Sequence, residues 1–168
     1  DGIWAVLAWL SILQFTKPMN IREITESHWD KYGRHVYCRC DYDEVSLEGG
    51  NNVMNHVRSQ LPKLPHKKYS DSWTIESASE YNYIDPVDHT EARNQGMILT
   101  FTNGSRLVLR LSGTGSAGAT IRLYMEYFVK DWRSWQNAKL EESPLMDIAN
   151  EVCQIQKFTG RTAPSVIT

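Results

Sequence analysis

The sequence lacks the features that mark several large classes of protein. It has three cysteines among 168 residues, and so small and odd a number does not make the disulfide framework of a secreted domain. Its formal net charge is −2 at pH 7, whereas nucleic acids and anionic membranes select strongly basic surfaces. We therefore expect a cytoplasmic protein whose main partner is neither nucleic acid nor membrane.

One apolar run, residues 3–13, is too short to cross a membrane, because a spanning helix needs about 20 apolar residues. The run follows Asp1 rather than a basic flank, and no small-residue cleavage site is evident, so a signal peptide is not indicated. An apolar helix without a polar face is normally buried among other elements, yet nothing precedes Asp1 and the chain has no initiator methionine. We expect residues 1–16 to be the last helix of an upstream domain, residues 17–168 to form the main domain, and the chain to be the C-terminal part of a larger protein.

Groups that make and break bonds are also scarce. No nucleophile is paired in sequence with an activating base, and no pair of carboxylates is placed for acid–base work. Cys38 and Cys40 would share one strand face, but no second close pair completes a zinc site. Asp85 and Asp88 belong to an Asp-Pro turn, which explains both without a metal. The sequence therefore predicts no catalytic residue and no metal ligand in this chain.

The most informative feature is a glycine-rich segment between two arginines at residues 110–122, which reads Arg-Leu-Ser-Gly-Thr-Gly-Ser-Ala-Gly-Ala-Thr-Ile-Arg. Glycines let the backbone turn so that successive N–H groups converge on one anion. Arginine forks match phosphate bidentately, and hydroxyls add further donors. The segment predicts a bound phosphate, held by Arg110, Ser112, Gly113, Thr114, Gly115, Ser116 and Arg122.

The same segment carries Gly-x-Gly-x-x-Gly at residues 113–118, the spacing of a dinucleotide-binding fingerprint. That fingerprint must open a helix, but both flanks here alternate apolar and polar residues with a period of two, which is typical of strands. No Gly-Lys-Ser/Thr follows Gly118, which argues against a P-loop. Two interpretations stay open: a phosphate-binding connection between two strands, and an ordinary glycine-rich surface loop with two arginines.

Periodicity and capping residues outline the rest of the chain. Asn20 with Glu23 three residues later predicts the start of a helix, and Gly33 predicts its end. Further segments follow in order: a strand at about 37–44, a helix at about 47–61, a loop at 62–72, strands near 73–83, 97–102, 105–111 and 121–127, and a helix from Ser143 to near Gly160. The predicted fold is α+β, with a mainly antiparallel sheet covered by helices and preceded by a helix of an upstream domain.

The sequence resembles the last domain of eukaryotic phosphoglucomutases, in the α-phosphohexomutase family. The longest match is the run from Arg110 to Tyr124, which is similar to the phosphate-binding loop of that domain. Shorter matches occur in the family's order, at His28-Trp29, Tyr32-Gly33-Arg34, Asp41-Tyr42, Asp85-Pro86-Val87-Asp88, Asn94-Gln95-Gly96 and residues 159–164, with the terminal Val166-Ile167-Thr168. Residues 1–13 resemble a helix late in the family's third domain, so the resemblance spans nearly the whole chain. One departure is His89, where family members usually have glycine.

The resemblance implies a function for the parent protein. It would interconvert glucose 1-phosphate and glucose 6-phosphate through an enzyme phosphoserine and a glucose 1,6-bisphosphate intermediate. The catalytic serine, the aspartates that bind Mg²⁺ and the sugar-recognition loop would lie in three preceding domains of the same polypeptide. This chain would bind the phosphate that is not reacting and help to close the active-site cleft.

A second function class is a non-catalytic relative that serves as a binding or scaffold protein. Loss of the arginines or hydroxyls of the segment would favour that alternative. The segment retains both, which favours the enzyme.

Overall fold

The computed structural model describes residues 2–115, 118–135 and 139–168, and only the backbone of residues 113–115. The chain divides into two compact units. One contains residues 2–34 with 129–135, and the other contains residues 35–128 with 139–168. The second unit carries the predicted phosphate-binding segment.

The smaller unit begins with two helices, α1 over Gly2–Phe15 and α2 over Ile21–Tyr32. The backbone N–H of Glu23 donates to the Asn20 side chain at 3.1 Å, and the backbone N–H of Asn20 donates to the Glu23 carboxylate at 2.8 Å. This capping box confirms the predicted start of α2. The N–H of Gly33 donates to the carbonyl of Trp29 at 2.8 Å, which confirms the predicted end.

α1 is the apolar helix expected over residues 3–13, and none of its residues is buried. Eight of its nine large apolar residues are at least 40% exposed, namely Ile3, Trp4, Val6, Leu7, Trp9, Leu10, Ile12 and Phe15, and Leu13 is half-buried. In the described ranges, no helix is both long and apolar enough to cross a membrane.

Within the described residues, the larger unit is built on a seven-stranded sheet. The strands are β1 Arg34–Val45, β2 Lys68–Ser70, β3 Trp73–Ile84, β4 Glu91–Phe101, β5 Arg106–Gly115, β6 Gly118–Val129 and β7 Val166–Ile167. Their order in the sheet is β2-β3-β4-β5-β6-β1-β7, and every pairing with an assigned register is antiparallel. The accompanying helices are α3 Leu47–Gln60, α4 Pro144–Cys153 and α5 Ile155–Thr159. The α+β fold with a mainly antiparallel sheet is confirmed.

One face of the sheet carries the hydrophobic core. Alternate residues of the central strands are fully buried, as the two-residue repeat of a strand requires: Met97, Leu99, Phe101, Leu107, Leu109, Ile121, Leu123 and Met125. Buried side chains of α3 and α4 complete this core. The intervening strand residues, which include Arg110 and Arg122, point to the opposite face. That second face is called the open face below.

Two elements differ from the sequence prediction. The final helix is divided at Gln154, which adopts a left-handed conformation with φ 49° and ψ 39°, so α4 and α5 replace one continuous helix. The predicted loop at 62–72 contains β2, whose three residues pair with β3 at the edge of the sheet. Three residues are too few to show a period of two, so β2 leaves no pattern in the sequence.

Candidate functional site

The predicted phosphate-binding residues lie on one β-hairpin formed by β5 and β6. Arg110 is directly opposite Arg122, Ser112 is opposite Thr120, and Gly115 is opposite Gly118. Directly opposite residues of an antiparallel pair have Cβ atoms about 4.5–5.5 Å apart. The structure therefore brings Arg110, Arg122 and Ser112 together on the open face at one end of the hairpin.

Three further predicted residues, Gly113, Thr114 and Gly115, lie at the end of β5. The structure gives the strand backbone of Gly113, Thr114 and Gly115. Ser116 lies outside the described residues. Their parts in binding a phosphate stay predictions.

One of the two opposed arginines, Arg122, shares a buried carboxylate with a third arginine, Arg39. Asp41 is only 6% exposed, and its Oδ2 lies 3.8 Å from Arg122 Nε while its Oδ1 lies 2.9 Å from Arg39 Nε. These distances make ion pairs, but neither pair makes a hydrogen bond. Among the described residues, the Nε atoms of Arg39 and Arg122 are buried without a hydrogen-bond partner. Asp41 thus offsets only part of the charge of the two arginines beside it.

Arg110 is held by a neutral group. Its Nε donates to the carbonyl oxygen of Gln95 at 3.1 Å. Within the described ranges, the ion pairs of this face involve Arg39, Arg106 and Arg122 but not Arg110. Its positive charge is therefore not paired with a carboxylate of the described residues.

The end of the hairpin packs against the end of β1. The Thr120 hydroxyl donates to Asp43 Oδ1 at 2.9 Å. Gly118 has φ 101°, and a Cβ atom there would lie 2.9 Å from the carbonyl oxygen of Val45. Only glycine combines this left-handed backbone with so close a contact. Because of these two contacts, β1 fixes the position of the segment that the sequence predicts to bind phosphate.

Below the opposed arginines, the open face forms a recess of about 400 Å³. The side chains that border it include Tyr37, Arg39, Arg106, Arg110, Tyr124 and Glu126. At its far end, Glu126 is 2.5 Å from Arg106 Nη2 and 2.6 Å from His35 Nδ1. Arg106 therefore has its own carboxylate, in contrast to Arg110 on the same face of the same strand.

The described residues present donors and positive charge rather than a nucleophile or a metal centre. No group of three or more His, Cys, Asp and Glu side chains within them is placed to hold a metal ion. Burial raises the pKa of Cys40 to about 12 and that of Cys153 to about 12, and a protonated thiol is a poor nucleophile. Cys38 and Cys40 do share one strand face, with their Sγ atoms 3.9 Å apart. The grouped arginines Arg39, Arg110 and Arg122 are a set of donors suited to an anion.

Sequence reasoning missed several residues that support the two arginines. Asp41 and Asp43 come from β1, and Gln95 and Gly96 come from β4, so all four are distant from residues 110–122 along the chain. Thr120 lies inside that segment, and its alternation with Arg122 is the signal that places both side chains on one face. For the other four, the missing information is which strands are neighbours.

Comparisons with known proteins identify relatives of the chain. Residues 34–165 match the family model of the phosphoglucomutase-1 C-terminal domain. The chain is 48% identical to human phosphoglucomutase-1 over its whole length, covering 31% of that protein, and 41% identical to the chloroplastic phosphoglucomutase of Solanum tuberosum, covering 28% of it. A crystal structure of parafusin, a phosphoglucomutase from Paramecium in an open form, superposes with a TM-score of 0.80 at 37% identity, covering 100% of this chain and 29% of that one. The chain thus spans about three-tenths of the length of the relatives it matches.

Proposed function

This chain belongs to the phosphoglucomutase family, and from that premise we propose that it is the phosphate-binding C-terminal part of a phosphoglucomutase. The whole enzyme interconverts glucose 1-phosphate and glucose 6-phosphate through a phosphoserine and glucose 1,6-bisphosphate. The hairpin of β5 and β6 holds the phosphate that is not reacting.

The observation that carries this proposal is the pair of opposed arginines. Like charges directly opposite each other on adjacent strands destabilise a sheet, and Arg110 and Arg122 stand in that relation. Asp41 is shared by Arg122 and Arg39, and Asp43 accepts a hydrogen bond from Thr120. A phosphate dianion between the arginines would offset the remaining charge and accept the parallel N–H donors of two guanidinium forks.

Each predicted residue has a distinct part in this proposal. Arg110 and Arg122 neutralise the phosphate, and Ser112 and Thr114 donate hydroxyl hydrogen bonds. The backbone of Gly113, Gly115 and Ser116 lines the cradle. Energy from binding this remote group serves to orient the reacting end of the sugar and to close the cleft over it.

We also propose that the chain consists of parts of two domains. Residues 1–16 form the end of an upstream domain, and residues 17–168 form the phosphate-binding domain. The exposed apolar side chains of α1 support this division, because upstream residues of the same polypeptide would cover them. We place the enzyme in the cytoplasm, although the potato relative is named chloroplastic.

The proposed enzyme uses Mg²⁺, which stabilises charge on the transferring phosphoryl group. No cluster of ligands among the described residues fits the ion. Mg²⁺ and the catalytic serine would therefore belong to the preceding domains of the same polypeptide.

The proposal is tested by replacing either arginine with alanine in the full-length protein. A charge-assisted hydrogen-bonding group contributes roughly 1.5–3 kcal/mol, so Arg110→Ala and Arg122→Ala should each lower kcat/KM for glucose 1-phosphate about 10- to 150-fold. Both variants should fold normally, and serine phosphorylation should persist, because the two residues hold substrate rather than form the phosphoenzyme.

Arg106→Ala is the matched control. Arg106 lies on the same face of the same strand, but it is paired with Glu126 at 2.5 Å. Its replacement should change kcat/KM by less than about 2-fold, as expected for a surface change outside the site. Wild-type kcat/KM in folded Arg110→Ala and Arg122→Ala would refute the assignment.

A further inference from the structure

Gln95 and Gly96 lie on β4, beside Arg110. Gly96 has φ 154°, and a Cβ atom there would lie 2.8 Å from Arg110 Cγ and 3.0 Å from the carbonyl oxygen of Leu109. Real Cβ atoms almost never approach a carbon so closely. The aliphatic part of Arg110 therefore occupies the space that any side chain at position 96 would need.

An irregularity in β4 turns a backbone carbonyl toward the same arginine. Tyr81 is opposite Gly96, whereas Tyr83 is opposite Ala92, so three residues of β4 face a single residue of β3. A bulge of this kind re-aims the groups it contains. Here the Gln95 carbonyl accepts a hydrogen bond from Arg110 Nε at 3.1 Å.

These two contacts leave one end of Arg110 available. The Nε–H is used by Gln95, and the stem is confined above Gly96. The two terminal nitrogens carry the donors of a bidentate fork, and Arg110 borders the recess on the open face. The side chain is thus held at its stem and at Nε.

From this geometry we propose that Gly96 and the Gln95 carbonyl are positioning groups that hold Arg110 with its guanidinium fork presented to an anion. Gly96 acts by having no side chain, and Gln95 acts through its backbone. We call the contacts of Gln95 and Gly96 with Arg110 the clamp. The identity of its anion rests on the proposed function, whereas its geometry can be tested without any ligand.

The ligand-free test follows the Nε–H resonance of Arg110 by NMR, identified by its loss in Arg110→Lys. In the wild-type chain this proton should exchange with water at least about 10-fold more slowly than that of Arg22, whose side chain is 85% exposed, because a hydrogen-bonded proton exchanges only when the bond opens. Gly96→Ala should abolish the difference. Equal exchange of the two protons in the wild-type chain would overturn the clamp, whether or not Gly96→Ala folds.

Gly104→Ala is the matched control for backbone strain. Gly104 also has a left-handed φ, 82°, but the nearest atom to a Cβ there is Phe128 Cβ at an ordinary 3.5 Å. In this variant the Arg110 Nε proton should still exchange slowly with water. If slow exchange were lost in both Gly96→Ala and Gly104→Ala, the exchange rate would report general backbone strain, and the assignment to Gly96 would be overturned.

The ligand test is a double-mutant cycle on the affinity of the 168-residue chain for glucose 1-phosphate. Gly96→Ala should weaken binding about 3- to 10-fold, the effect of one misplaced hydrogen-bonding group. In an Arg110→Ala background it should have no further effect, because the two residues act as one unit. An equal loss in both backgrounds would overturn the clamp. If Arg110→Ala alone left binding unchanged, the proposed function would fail, while slow Nε–H exchange would still support the geometry.

Discussion

At the scale of single residues, sequence reasoning reached the arginines but not their surroundings. The period of two around residues 107–112 and 121–127 predicts two strands, and the hairpin register of β5 and β6 places Arg110 directly opposite Arg122. Asp41, Gln95 and Gly96 appear only in short family matches without a role, because the local pattern of one strand does not determine the order of strands in a sheet. The residues that neutralise or orient these arginines come from strands that are distant in sequence but adjacent in the fold.

His89 occupies a position where glycine is expected from the resemblance to the family. It adopts a left-handed conformation with φ 60°, and its N–H donates to the Asp85 carbonyl at 3.0 Å. Asp85 Oδ1 also accepts from the N–H of Val87 at 2.8 Å, which confirms the predicted Asp-Pro turn. The turn thus keeps a conformation that favours glycine.

His89→Gly should therefore stabilise the chain by up to about 1 kcal/mol, the left-handed strain being partly offset by the greater entropy of glycine in the unfolded state. Urea unfolding at pH 7 measures the change. Val87→Gly is the control, since Val87 is 87% exposed in the same turn and has no positive φ to relieve. The control should be neutral or destabilising, and a destabilising His89→Gly would contradict the strain argument.

At the scale of elements, long segments with clear periodicity were predicted and short or interrupted ones were not. The central strands and α2 fall close to their predicted positions. β2 and β7 are too short to carry a pattern, and each depends on a partner strand elsewhere in the chain. Apolar residues continue with helical spacing on both sides of the break at Gln154. This spacing alone therefore predicted one continuous helix.

The contact that ties α3 to the sheet gives a pH-dependent prediction. Arg58 Nη2 is 2.6 Å from Glu80 Oε1, and Arg58 Nε donates to both carboxylate oxygens. The Arg58 hydrogen bonds hold the pKa of Glu80 below its usual value. A carboxylate with a lowered pKa in the folded state adds stability above its unfolded pKa, and that stability is lost as the pH falls through the folded pKa.

Glu80→Gln should accordingly lower the free energy of unfolding by about 1 kcal/mol at pH 7, a moderate value because Arg58 is partly exposed. The difference from the wild type should begin to shrink as the pH falls below about 4.5, where Glu80 of the unfolded chain takes up a proton. It should be lost as the pH falls through the lower pKa of the folded carboxylate. Glu76→Gln, at an exposed position of the same strand, is the control and should be neutral at pH 7. A difference for Glu80→Gln that stayed constant between pH 7 and pH 3 would show that charge has no part in it.

At the scale of the whole molecule, the two units differ in how they bury apolar surface. The larger unit has a closed core between the sheet and its helices, whereas no residue of α1 is buried. The apolar composition of residues 3–13 predicts a buried helix, whereas α1 is exposed in this chain, and the assignment of residues 1–16 to an upstream domain stays a prediction.

Deleting residues 1–16 should therefore change the free energy of unfolding of the rest of the chain by less than about 1 kcal/mol, because separate domains have largely independent cores. Urea unfolding followed by tryptophan fluorescence and by circular dichroism tests this, and both probes should report the same midpoint as the intact chain. A large fall in the midpoint would mean that α1 stabilises the larger unit.

The proposed phosphate site depends on a local excess of positive charge at Arg110 and Arg122, on a molecule whose net charge is −2. It is tested most directly by calorimetric titration of the 168-residue chain with glucose 1-phosphate at low ionic strength. The account predicts one site that also takes glucose 6-phosphate, gives no heat with glucose, and weakens at least about 10-fold when both Arg110 and Arg122 are alanine. Equal binding by that double variant, or binding of glucose as tight as that of its phosphates, would contradict the claim.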